Sequence, residues 1–170
     1  MRIKKKILVD SIHCHNFIEN GLRRDVLGYH QQHGFRLAFS FLQLFGYDPI
    51  EIQHSRLSKA LLSDYSILFI NLVSVDLAPF RVDEILAIEN FLLEGGSLLL
   101  ITDHSNCYFH VQKLLPLMEI LGIDLFKETA CDCSPFTLGS GNGWIKIEKF
   151  KDHAITQNLQ RICFQTGVVF

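Results

Sequence analysis

Long hydrophobic runs are missing from this 170-residue chain. None approaches the roughly 20 residues of a membrane-spanning helix, so no membrane association is expected. The basic start, Met1 to Lys6, is followed only by Ile7-Leu8-Val9 before Asp10 interrupts it. A secretory leader needs about 7–15 apolar residues at that point, and none is expected. Charge of one sign is missing too: 16 Lys and Arg face 18 Asp and Glu, a formal net charge of −2. With no basic face, nucleic acid is not an expected partner. Cysteine is scarce and odd in number, with five residues at 14, 107, 131, 133 and 163. Without an export signal these are expected to be reduced thiols in a cytoplasmic protein. Repeats, low-complexity tracts and Pro/Gly/Ser linkers are lacking, which makes residues 1–170 a single domain.

What the chain does have is apolar residues at regular spacing. Hydrophobic residues make up 48% and charged ones 20%, enough to bury a sizeable core. Short apolar runs at Ile3–Val9, Pro49–Gln53, Ser66–Ile70 and Ser97–Ile101 read as strands. Ile123–Phe126 is a candidate fifth, with further candidates at Trp144–Glu148 and Arg161–Phe164. Helical spacing covers Phe35–Phe45, closed by Gly46, then Ser58–Ser63, Val82–Leu93 and Cys107–Leu121, where Pro116 marks a kink or break. On Val82–Leu93 the expected apolar side is Val82, Ile85, Leu86, Ile88, Phe91 and Leu92. Strands alternate with helices, and the first, third and fourth are apolar nearly throughout. This predicts an α/β fold with a mainly parallel sheet covered on both faces.

In such a sheet ligands bind beyond the carboxyl ends of the strands, near the point where strand order reverses. With order 2-1-3-4-5 that point lies between strands 1 and 3. Strand 1 ends in Asp10-Ser-Ile-His13-Cys14-His15-Asn16, strand 3 in Asn71, and strand 4 in Thr102-Asp103-His104-Ser105-Asn106. Two segments about ninety residues apart, both rich in Asp, His and Asn, are therefore expected at one edge. Each residue also has a plain role. Asp103, Ser105 or Asn106 suits the N-cap of the next helix, and any one histidine suits an exposed loop.

Three chemistries fit the group. His13, His15, Asp103 and His104 carry donors suited to Zn or Fe, although no recognised ligand spacing is present. Cys14 and Cys107 each lie near a histidine, but neither stands directly at a strand end as an elbow nucleophile would. Carboxylate, imidazole, amide and helix N–H groups together suit noncovalent capture of a small polar molecule. Cys131-Asp132-Cys133 offers two thiols, too few for a four-ligand site. His30 and His33 lie three apart with no carboxylate to pair them, His54 and His110 suit plain roles, the latter on the helix that leaves the candidate site, and His153 belongs to a turn.

Five stretches carry a family resemblance: Lys6-Ile-Leu-Val-Asp10, Phe45-Gly-Tyr47, Glu84-Ile-Leu-Ala-Ile88, Gly95-Gly-Ser-Leu-Leu-Leu-Ile-Thr-Asp-His-Ser105 and His153-Ala-Ile-Thr156. Together they resemble the class I glutamine amidotransferase-like superfamily over most of residues 5–157. The likeness is to the branch lacking the catalytic cysteine, shared by gliding-motility and intraflagellar-transport proteins. The resemblance implies a flavodoxin-like three-layer sandwich, often part of a larger assembly. Asp103-His104 stands where amidotransferases place the nucleophilic cysteine, and no His-x-Glu pair follows. Glutamine hydrolysis is therefore not expected.

The leading expectation is an amidotransferase-like domain without glutaminase activity. It would bind a small polar ligand through Asp10, His13, His15, Asn16, Asn71, Asp103, His104, Ser105 and Asn106. One rival is a metal-dependent hydrolase at the same edge, with the imidazoles and Asp103 or Asp10 as ligands or general base. The other is a noncatalytic scaffold that binds another protein.

Overall fold

The computed structural model describes residues 5–14, 35–103, 105–131 and 144–165. In chain order they form β1 (Lys5–Asp10), α1 (Arg36–Leu44), β2 (Tyr47–Ile52), α2 (Lys59–Leu62), β3 (Ile67–Asn71), α3 (Val82–Leu93) and β4 (Ser97–Ile101). A single 3₁₀ turn, Cys107–Phe109, leads into α4 (His110–Leu121), and β5 (Trp144–Ile147) and β6 (Ile162–Gln165) follow. The first four strands make one sheet in the order β2-β1-β3-β4, every pairing parallel. Helices lie on both faces, giving the flavodoxin-like three-layer α/β arrangement expected from the alternation of elements.

The two-residue period of a strand sorts side chains between the faces. Leu8, Leu68 and Ile70 face the larger core, which holds Leu62 of α2, Ile85, Ile88 and Phe91 of α3, and Leu114, Leu117 and Met118 of α4. Ile7, Val9 and Phe69 point the other way, toward Phe35, Phe39 and Leu42. The Phe69 ring meets both Phe35 and Phe39 edge-on at 5.2 Å. Pro49 sits in β2, which ends the strand order, so its missing N–H leaves no gap between two strands. The paired glycines before β4 act differently. Gly95 has φ +96°, a left-handed turn that ends α3, while a Cβ on Gly96 would collide with the Phe91 ring.

Several expectations are corrected. Ile123–Phe126 is not a strand. Gly122 closes α4 at φ +67°, the Ile123 N–H returns to the Met118 carbonyl, and only Leu125 of the run is buried. The chain is thus still finishing a helix cap where a strand would have to begin. Helix α4 runs unbroken through Pro116. The two later strand candidates are strands, as expected, and β5 and β6 form a separate antiparallel pair. On α3, Val82 and Leu86 are exposed and Glu84 is buried in their place. Among the described residues, α1 does not reach over β4, where Ser97 and Leu99 are exposed.

Candidate functional site

The end of β1 is a tight turn built on one carboxylate. Asp10 is on the same strand face as Leu8, so it points into the larger core and is fully buried. Its Oδ1 accepts the N–H groups of Ile12 (2.9 Å) and His13 (3.3 Å). Those bonds fold the chain back and carry the His13 ring inside, where it is also fully buried. His13 Nδ1 lies 2.7 Å from Asp10 Oδ2, and Nε2 lies 3.5 Å from Glu84 Oε2. The imidazole stacks on Phe80, with ring centroids 4.1 Å apart.

Glu84 is the residue that sequence inspection missed. It is fully buried at the third position of α3. One oxygen accepts the Leu57 N–H at 3.2 Å; the other accepts the Arg81 N–H at 3.0 Å and a guanidinium N–H of Arg56 at 3.3 Å. It therefore caps α3, ties the segment before α2 to it, and faces His13. A signal was available. Glu84 precedes Ile88 by four residues and Phe91 by seven, which puts it on the buried stripe of the helix. A buried carboxylate stable in that position has to be paired or hydrogen-bonded.

Cys14 follows in the same turn. Its thiol donates to Asp10 Oδ2 at 3.6 Å, and its backbone bridges Val73 after β3. Burial pushes this thiol well above the ordinary value of 9.0, and the Asp10 carboxylate pushes it further. Burial also raises Cys107, with Asp103 adding to the effect. A nucleophilic cysteine needs the opposite environment, one that favours thiolate.

At the end of β4, Asp103, Ser105 and Asn106 are half-buried. Ser105 hydrogen-bonds Thr129 through the two hydroxyls. Asn106 Oδ1 accepts the Val111 N–H at 3.2 Å, so it caps α4 across the intervening 3₁₀ turn. Ser105, Tyr108 and Phe109 all have left-handed backbones, with φ of 54° to 55°. His110 is buried, with Nδ1 2.6 Å from the Cys107 carbonyl oxygen. His153 accepts the Ile155 N–H within a turn, as expected. Both strand ends reach the segment after β3: Ser74 N–H donates to the His13 carbonyl and Val75 N–H to the Tyr108 carbonyl. Asn71, at the end of β3, is fully buried.

The structure thus gathers Asp10 and His13 into a sealed cluster with Glu84, whereas both were expected at an open rim. Asp103, Ser105 and Asn106 remain at the β4 end. His15, Asn16, His104 and Cys133 lie outside the described residues. Among the described residues, no three His, Cys, Asp or Glu side chains are grouped to hold a metal ion. No described helix is long and apolar enough to cross a membrane.

No family model matches the chain, and no curated protein matches it in sequence. Among solved structures it is similar to one described as the mmIFT52 N-terminal domain. The TM-score is 0.68 at 10% identity, over 96% of this chain and 67% of the other. The class this defines is a flavodoxin-like α/β domain, and the shared property is the fold.

Proposed function

We propose that this is a noncatalytic α/β domain that works through contact with protein, its strand-end polar residues serving mainly to lock the fold. The observation that carries this reading is the sealed cluster. Asp10, His13 and Glu84 are the most reactive-looking groups near the β1 end, and each faces another member of the cluster with no exposed surface. The raised Cys14 and Cys107 thiols support the same reading, because both disfavour the thiolate form. So do the likeness to the IFT52 domain and the resemblance to the noncatalytic branch shared by gliding-motility and intraflagellar-transport proteins.

A second reading keeps a small polar ligand, or Zn or Fe, at the β4 end. One observation favours it: three left-handed non-glycine residues stand within five positions there, and strain of that kind gathers at functional sites. One set of measurements separates the readings. Metal analysis of the purified protein and ammonia release from glutamine should both be negative, and iodoacetamide should label Cys14 and Cys107 slowly at neutral pH. Stoichiometric zinc or iron, or turnover of glutamine, overturns the noncatalytic reading.

A further inference from the structure

Helix α1 has two apolar faces. Phe35 before the helix, Phe39 and Leu42 form the stripe that packs on the sheet. On the opposite side Phe41, Leu44 and Phe45 are 60%, 82% and 61% exposed, and the Phe41 and Phe45 rings lie 4.9 Å apart as a ridge. Beyond the polar Ser40 and Gln43, these three side chains form an exposed apolar cluster of the kind that marks a contact surface. Beside α1 is a groove of about 400 Å³ over β3 and β4, walled by Phe35, Phe39, Leu42, Ile67, Phe69 and Leu99. Leu99, at its β4 side, is 49% exposed. Ridge and groove lie on one side of the sheet, next to each other.

We infer that the occupant of this groove is a second copy of the chain, docked so that each copy's α1 ridge covers the other's β3–β4 surface. This rests on the protein-contact reading above and names its partner. Three features point to self-association. A two-fold contact is self-complementary, so one patch has to supply both the projection and the recess that receives it; this face holds both. A patch facing its own copy also has to avoid like charges. No charged residue occurs from Leu37 to Tyr47 or from Gly95 to Thr102. The geometry closes as well, because the side of α1 opposite its own sheet is the side a facing sheet would meet. The two α1 helices would then lie side by side between two sheets, with both faces covered.

The area sets the strength of the contact. A buried aromatic side chain removes on the order of 150–250 Å² from water. The ridge and the open part of β4 therefore supply on the order of 400–600 Å² per copy, against about 800 Å² per partner in a standard interface. Contact along the groove walls adds to this, and a weak, concentration-dependent dimer is the expected class.

Sedimentation velocity over a wide concentration range tests the inference on the whole chain. A monomer–dimer equilibrium is expected. Phe41→Glu and Leu99→Glu should each weaken it by about tenfold or more, a change of about 1.4 kcal/mol or greater, with the far-ultraviolet circular dichroism and thermal midpoint retained. The inferred docking sets Phe41 of the α1 ridge of each copy against the β4 surface that carries Leu99 in the other. Phe41→Lys combined with Leu99→Glu should therefore recover dimerisation. A dimer indifferent to all these changes overturns the inference. So does a monomer at every concentration, and the dye bis-ANS then separates two failures. Dye bound by the monomer and lost in Phe41→Glu removes the second copy but leaves a protein-docking face. A monomer that binds no dye removes both.

Discussion

The two ends of this molecule's polarity scale are in the wrong places for a simple globular domain. At the carboxyl end of β1, two carboxylates and an imidazole are buried together. On the outer side of α1, two phenylalanines and a leucine are exposed. The contrast teaches which features of each region are settled within the chain. The polar cluster finds most of its partners within the chain: Asp10 holds the turn, Glu84 holds two backbone N–H groups, and His13 stands between them, its Nε2 3.5 Å from Glu84 Oε2 without a hydrogen bond. Among the described residues no surface covers the apolar ridge, and an exposed cluster of this kind marks an interaction site. Polar groups inside must find partners to be tolerated there; apolar groups left outside mark where a contact is to be sought.

The comparison is broken most severely at Glu84. Glu84→Ala strips the acceptor from the Leu57 and Arg81 N–H groups and leaves His13 beside a void. Removing one member of a buried charged network costs about 3–5 kcal/mol, to be read from the denaturant midpoint. An unchanged midpoint would mean that the cluster contributes nothing to folding.

Alkaline pH strains the same region through Cys14. Its folded pKa is raised, so its stabilising contribution is complete below the unfolded value of about 8.5–9. It is lost as pH rises from there toward the folded pKa, because the unfolded thiol releases its proton first. Stability should therefore fall above about pH 9, and Cys14→Ala should flatten that part of the profile. A slope identical in the variant would remove Cys14 as the cause.

Smaller effects follow. Gly96→Ala forces a Cβ against the Phe91 ring and should cost about 1–3 kcal/mol by overpacking. Asn106→Ala removes the acceptor for Val111 N–H and should cost about 0.5–2 kcal/mol, the ordinary value of an N-cap. The smallest effect on folding is expected on the ridge. Leu44→Ser should change stability by no more than about 0.5 kcal/mol while reducing self-association. A large loss of stability there would mean that the ridge belongs to the core of the single chain.

Much of the fold was legible because periodicity reports burial directly. The apolar runs Ile67–Ile70 and Ser97–Ile101, separated by an amphipathic Val82–Leu93, can hardly be anything but two parallel strands and their crossover helix. Asn106 as a cap was legible for the same local reason. The strand misassigned at Ile123–Phe126 shows the limit. Three apolar residues with one aspartate after Gly122 look the same whether they pair with a strand or merely cross a helix end. The candidate site was read less well. Asp10 and His13 were both named among the candidates at the end of β1, but whether a residue just past a strand turns outward or inward depends on bonds to elements far along the chain. Glu84, 71 positions beyond His13, is such an element.

By itself, then, the sequence determined the layer architecture and the parallel direction of the first four strands. Each follows from local patterning and from the rule that successive strands and helices cover one another. Only the tertiary structure decided the direction in which the polar groups face and the surface left bare. His13 is sealed because Asp10 folds its turn inward and Glu84 receives it. Leu99 is exposed because α1, the one described helix on that face, does not cover β4. Burial is a property of what packs against a residue, and the partner in each case is distant in sequence.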